Sequence, residues 1–368
     1  MSIADELGDP GEAVGNSGGI RREEVDRPVT LVPPRLKPGD RVRLVSPASP
    51  PSREQVEHSV DLLASWGLEV EIGDHAFDHV GYLAGTDENR IADMNAAFRD
   101  PGVRAIFATR GGKGAYRISD RLDFEAARSD PKPLVGFSDI TMIHLALWRW
   151  CRLGGIHGFA GQETAETLYR SLFTAESITV CQDPSEVTAA VSVDGRAAGF
   201  LMGGNLGAIR GAVGAELPRL DGAILLIEDN FGTGLGQVDR ELTQLMKSGS
   251  LDGVRGVAVG QFSGFDEGPV DEALGGWTIV DVLQERLATL DVPVLGGLPI
   301  GHGSRPMSVP LGVTATIDTG AGILTVDPGV ASGRPAVART NADDASRVPG
   351  RLRSGTRQLS TPWCPRAP

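Results

Sequence analysis

From about residue 38 the chain alternates short β-branched runs with stretches of helical period. Arg41-Val42-Arg43-Leu44-Val45 predicts a strand, residues 53–66 a helix, Leu68 to Ile72 a strand, residues 87–99 a helix, and Val103 to Ala108 a third strand. Leu134-Val135-Gly136 continues the series, followed by an amphipathic stretch from Met142 to Trp150 and a short strand around Gly155-Ile156-His157. This is the rhythm of βαβ units. It predicts an α/β fold whose N-terminal part is an open parallel sheet with flanking helices and a ligand crevice at the carboxyl ends of its strands.

Residues 163–195 are polar and less regular, which suggests a connection to a second unit beginning near Ala198. That unit holds an apolar run ending in acids, Ala223-Ile224-Leu225-Leu226-Ile227-Glu228-Asp229, then helices over 238–248 and 277–289 and strands near Val254 to Val259, Val313 to Ile317 and Ile323 to Val326. It is also α/β, richer in β toward its end. The expected organisation is a disordered tail at 1–35, an N-terminal α/β domain at 36–165, a connection at 166–197, a C-terminal α/β domain at 198–330 and a second disordered tail at 331–368. Both tails lack hydrophobic period, and the C-terminal one carries seven Arg against two acids.

Composition removes several partners. A net charge of −13 over 368 residues provides no basic field for nucleic acid or an anionic membrane surface. No run of about 18 apolar residues occurs, and Met1 to Pro10 is acidic rather than basic followed by apolar, so neither a membrane span nor secretion is expected. The cysteines, Cys151, Cys181 and Cys364, are few, odd in number and widely spaced. They fit a reducing, cytoplasmic setting and neither a disulfide framework nor a zinc site.

The chemistry centres on Ser138, in Gly136-Phe137-Ser138-Asp139-Ile140-Thr141 between a strand and a helix. Such an elbow holds a hydroxyl clear of its backbone above a helix N-terminus, where a nucleophile could work; Ser138 or Asp139 could equally be a helix cap. Glu228, at the end of an apolar run, points toward the crevice unless it is a structural partner of Arg240. His302, between Gly301 and Gly303, is a base candidate or a loop histidine without a role, and His157 is its rival. A serine needs an imidazole to take its proton and a carboxylate to orient that imidazole, roles that Ser138, His302 and Glu228 fit. Thr109-Arg110-Gly111-Gly112-Lys113-Gly114 follows a strand directly and could supply backbone N–H groups to an oxyanion, while matching neither common phosphate-binding pattern. No cofactor and no metal is expected.

Together these segments resemble the LD-carboxypeptidase family of serine peptidases, which includes the microcin C immunity peptidases. The matching pieces run in order from Leu36-Lys37-Pro38-Gly39-Asp40 through Arg110-Gly111-Gly112, the Ser138 elbow, His157-Gly158, Gly203-Gly204-Asn205-Leu206, Glu228-Asp229, Asp239-Arg240 and Gly301-His302-Gly303 to Val309-Pro310-Leu311-Gly312. The resemblance implies two domains meeting at the active site, a homodimer, a Ser-His-Glu triad falling on Ser138, His302 and Glu228, and an oxyanion hole falling on Gly112 and Asp139. It implies hydrolysis of an amide in a small peptide or acyl-amide substrate. Two departures bear on specificity: Lys113 stands where the family usually has an aromatic residue, and Phe159 where it usually has Pro. Both flank the expected cleft with Arg110 and are the expected substrate contacts. An acyltransferase or a resistance hydrolase on the same triad, and a catalytically silent binding protein, are the alternatives.

Overall fold

The computed structural model describes residues 30–230, 232, 234–265 and 275–332. The tails expected at either end lie outside them except for their inner edges. Residues 30–35 run along the body instead of away from it, with Leu31 N–H donating to Arg152 O (2.8 Å) and Arg35 N–H to Ala331 O (3.1 Å).

The N-terminal sheet is built from β1 (Arg41–Val45), β2 (Glu69–Ile72), β3 (Val103–Ala108), β4 (Leu134–Gly136) and β5 (Ile156–His157), all parallel. Helices α1 (Arg53–Ser65), α2 (Asp87–Arg99), α3 (Phe124–Ser129) and α4 (Thr141–Cys151) make the connections. Local signals set their ends: Ser52 and Gln55 form a reciprocal capping box on α1, and Thr86 caps α2. The order is β12-β5-β4-β3-β1-β2, where β12 (Val309–Pro310) comes from the far end of the chain and pairs antiparallel with β5. A proline is tolerated there because β12 is an edge.

The stretch 163–195 is more regular than its polarity suggests, containing α5 (Ala165–Phe173), β6 (Ile178–Cys181) and β7 (Ser192–Val193). β6 and β7 form the two edges of the second sheet, ordered β6-β14-β13-β8-β9-β10-β11-β7. Its centre is parallel: β8 (Arg196–Asn205), β9 (Ala223–Asn230), β10 (Gly256–Ser263) and β11 (Val294–Leu295). Strands β13 (Thr314–Asp318) and β14 (Ile323–Val326) add the antiparallel part. Helices α6 (Leu206–Gly211), α7 (Leu235–Lys247) and α8 (Ile279–Ala288) cover it. β9 is buried from Ala223 to Asp229, as a strand parallel to both neighbours must be. The fold is thus the expected mixed α/β with two sheets.

Helix α4 joins the halves. Its residues Thr141 to Trp148 are all buried, an all-round apolar helix that belongs inside a protein. It packs on β8 and α6 of the second half, with Trp148 stacked on Phe200 at 5.1 Å. The residue just before its opening turn is Phe137, so Ser138 is carried to the seam between the two sheets. No helix among the described residues is long and apolar enough to cross a membrane. Cys151 is buried, its Sγ donating to Phe124 O at 3.3 Å, while Cys181 is disulfide-bonded, against the expectation of no disulfide framework.

Candidate active site

Strand β4 stops at Gly136, where a Cβ would meet Ile140 Cγ2 at 2.5 Å, and Phe137 is still extended. Ser138 then turns into the left-handed region at φ 61°, an uncommon conformation for a residue with a side chain. A 3₁₀ turn, Ser138–Ile140, leads into α4. Neither Ser138 nor Asp139 caps that helix with its side chain. Among the described residues the Ser138 hydroxyl makes no hydrogen bond, and the Asp139 carboxylate accepts from the Ala115 N–H at 2.7 Å. Burial pushes the Asp139 carboxyl up, and the Ala115 bond and the Lys113 charge draw it back.

That bond clamps the glycine-rich loop after β3 over the elbow. Fully buried Arg90 grips the same loop, donating to Gly114 O (2.9 Å) and Pro47 O (2.6 Å). Ser49 accepts from Lys113 N–H at 3.0 Å and its own N–H donates to Gly111 O at 3.2 Å. Gly111 is pressed on the elbow: a Cβ there would lie 2.8 Å from Ser138 Cβ and 3.1 Å from its Oγ. Gly112, at φ 106°, keeps a backbone N–H that has no acceptor among the described residues, and Asp139 N–H belongs to the first turn of a helix, where intrahelical acceptors are lacking. Gly111→Ala is expected to lower kcat/KM about 10²-fold by shifting the hydroxyl or the loop, while KM for a short substrate changes less. Steady-state kinetics check this, and an unchanged kcat would show that the loop yields freely.

Glu228 and His302 meet directly. His302 Nδ1 lies 2.5 Å from Glu228 Oε2, across 74 positions of sequence, with the carboxylate fully buried and the imidazole side chain 18% exposed. Arg240, the alternative partner, instead donates to Gln237 on α7. Gly301 permits the approach, since at φ 135° any Cβ would fall 2.8 Å from Glu228 Oε2. Buried Gln261 of β10 pins the loop: its Oε1 accepts from Gly303 N–H (2.8 Å), its backbone N–H donates to Ile300 O (2.8 Å), and its Nε2 donates to Glu186 (2.6 Å). Sequence reasoning missed Gln261, whose only signal is a polar residue inside the run Gly256-Val257-Ala258-Val259-Gly260-Gln261-Phe262.

Burial disfavours a proton on His302, but the hydrogen bond and charge of Glu228, aided by Asp229, outweigh it and raise the imidazole above its ordinary value. Burial pushes the Glu228 carboxyl up as well, with the His302 bond pulling it back. The pair as a unit therefore holds its proton more tightly than separate groups would. His157 is different. It is buried on β5, neither ring nitrogen has a hydrogen-bond partner among the described residues, and burial first, then the charges of His144 and His302, push it down to about 3. It is a neutral packing ring.

Phe137 ties the elbow to the imidazole, its ring 4.9 Å from that of His302 and 5.2 Å, stacked, from Phe159. Phe159 is therefore part of the aromatic wall beside Ser138. Lys113 is exposed on the loop, and exposed Arg110 turns toward Pro50 O (3.4 Å). Asn205, quoted in a matching segment but given no role by the sequence, stands at the end of β8 in register with Glu228; its N–H donates to Thr141 Oγ1 (3.1 Å), its Nδ2 donates to Asp229 Oδ1 (3.0 Å), and its Oδ1 accepts from Ala208 N–H (3.0 Å) as the cap of α6. Among the described residues no cluster of three metal-ligating side chains occurs.

Residues 42–158 match the LD-carboxypeptidase N-terminal domain and residues 198–317 the LD-carboxypeptidase C-terminal domain. A Streptomyces coelicolor protein with a provisional carboxypeptidase name is 37% identical over 309 residues, covering 80% of this chain and 96% of its own. The murein tetrapeptide carboxypeptidase of Pseudomonas aeruginosa is 30% identical over 292 residues, covering 76% and 93%. Among solved structures, an MccF-like protein of Bacillus anthracis superposes with a TM-score of 0.71 at 26% identity, covering 81% of this chain and all of that one.

Proposed function

This chain belongs to the LD-carboxypeptidase family, and from that premise we propose that it hydrolyses the terminal amide of a short murein-type peptide through a covalent acyl-serine. Ser138 Oγ attacks the amide carbonyl as His302 Nε2 takes its proton. Glu228 holds Nδ1–H and stabilises the imidazolium that forms. Backbone N–H groups of Gly112 and Asp139 receive the oxyanion. His302 then gives the proton to the leaving amine, and the C–N bond breaks. Water, activated by the same imidazole, hydrolyses the ester and restores Ser138.

The observation that carries this reading is the 2.5 Å contact between buried Glu228 and His302, one aromatic ring away from a strained serine. The single bond locks the imidazole tautomer that leaves Nε2 free to act as base. The Ser138 arm of the triad rests on the elbow and on family resemblance.

The test is incubation of the full chain with a murein tetrapeptide, with release of the C-terminal D-amino acid followed by mass spectrometry. The expected products are the free amino acid and the tripeptide acid, unchanged when a millimolar amine is added. If a new amide with the added amine predominates, the chain is an acyltransferase and the hydrolytic reading fails.

A further inference from the structure

The loop Gly111-Gly112-Lys113-Gly114 carries the Gly112 N–H that the proposed mechanism aims at the oxyanion, yet little in its own chemistry would hold it in one shape. Gly112 and Gly114 stand at φ 106° and 123°, conformations that glycine enters and leaves freely. The shape is therefore imposed by neighbours. Ser49 binds the loop at Gly111 and Lys113, and Asp139 binds it at Ala115, but both of these belong to loops or turns themselves. Arg90 differs in projecting from a regular helix, α2.

The Arg90 side chain has no exposed surface. Its Nη1 donates both to Gly114 O (2.9 Å) and to Pro47 O (2.6 Å), so a single group ties the loop after β3 to the loop after β1. A Cβ at Gly114 would lie 2.8 Å from that Nη1, a measure of how closely the backbone rests on the guanidinium. Nη2 donates to Asp87, one turn back on the same helix, and Asp87 takes a second cation from outside: Arg117 Nε lies 3.0 Å from both of its oxygens. Arg117 ends the 3₁₀ turn Ala115–Arg117 that the loop runs into. The downstream end of the loop is thus held at two points by one relay of charges. A buried ion pair is often no more stable than apolar side chains of similar volume, so what this one contributes is a fixed geometry, for which the rigid fork of arginine suits better than the point charge of lysine. The same cation acts on Asp139: burial pushes that carboxyl up, while the Ala115 bond and then the charges of Lys113 and Arg90 draw it back.

We infer that Arg90 is a positioning residue for hydrolysis: through Gly114 it holds the Gly112 N–H where the oxyanion forms, with Asp87 and Arg117 fixing the guanidinium in turn. The inference rests on the peptidase reading, since without an acyl transition state that N–H has nothing to receive. A donor aimed at the transition state and not at the substrate raises kcat and leaves KM alone. That split separates positioning from a merely structural role, which would change how much of the chain is folded but not the turnover of the folded part.

Full chains carrying Arg90→Met, Arg90→Lys or Asp87→Asn are compared with the parent on a murein tetrapeptide, at a temperature where circular dichroism shows each of them folded. Hydrogen exchange of the backbone amides in 109–116 is followed in parallel by mass spectrometry. Arg90→Met is expected to lower kcat about 10²-fold with KM within about threefold of the parent, and to speed exchange in 109–116. Arg90→Lys keeps the charge and loses the fork, so it should recover about tenfold of that loss. Asp87→Asn leaves Arg90 in place with an acceptor beside it; it should fold even where Arg90→Met does not, and lose about tenfold in kcat. Parental kcat in folded Arg90→Lys and Asp87→Asn, a loss carried by KM alone, or unchanged exchange in 109–116 overturns the inference while cleavage by the parent upholds the peptidase reading. If the parent cleaves no murein tetrapeptide yet exchange in 109–116 rises in the variants, the peptidase reading fails and takes the catalytic role of Arg90 with it, and the anchored loop remains.

Discussion

Ser138→Ala is expected to lower kcat on any substrate the parent cleaves by about 10⁴- to 10⁶-fold, the range over which loss of a triad nucleophile is measured. The fold should survive. The Ser138 hydroxyl makes no hydrogen bond among the described residues, so its removal leaves no buried group without a partner. The backbone cost of φ 61° is borne by alanine much as by serine, so the unfolding free energy should change by no more than about 1 kcal/mol. A fluorophosphonate should label the parent at this position and leave the variant unlabelled. Full activity in a folded Ser138→Ala chain would remove the nucleophile from the proposed mechanism, and the acyl-serine with it.

The second large effect concerns Glu228. Glu228→Gln preserves shape but withdraws the charge that fixes the His302 tautomer, and a fall in kcat of about 10³- to 10⁴-fold is expected. Its sharper signature is the pH profile. In the parent, kcat/KM should rise with pH as His302 loses its proton, with a midpoint above the roughly 6.5 of a free imidazole. The direction follows from the balance at the site, where burial alone would lower the midpoint and the hydrogen bond and charge of Glu228 reverse it. With glutamine in place the burial remains and the charge is gone, so the midpoint should move to lower pH. A midpoint that stays put would mean that Glu228 does not act on the base, whatever happened to kcat.

Several features were legible along the chain because local physics sets them. The run Ala223 to Asp229 announced a strand buried on both faces, and it is the centre of the second sheet. The helices over 53–65 and 87–99 follow their caps and period. β8 was harder: Gly199, Gly203 and Gly204 weaken its strand pattern, yet they are required because a Cβ at Gly203 would strike the backbone of Leu226 and one at Gly204 would lie 2.6 Å from Thr141 Oγ1. β12 was invisible as a partner of the first sheet, since two residues carry no period and Val309 pairs with His157, 309 − 157 = 152 positions away. Gln261 looked like an ordinary polar residue in an apolar stretch until its partners Gly303, Ile300 and Glu186 were known.

The sequence by itself determined the α/β alternation, the elbow at Ser138 and the presence of a serine, an imidazole and a carboxylate in the order of a recognisable family. Those properties are written in short windows, through period, capping and turn chemistry. It took the packed fold to establish that Glu228 meets His302 and not Arg240, that His157 is sealed and neutral, and that Asp139 clamps the Gly112 loop. Each depends on contacts between segments tens of residues apart, and burial, which pushes His157 down and the Asp139 and Glu228 carboxyls up, is a property of the packed whole.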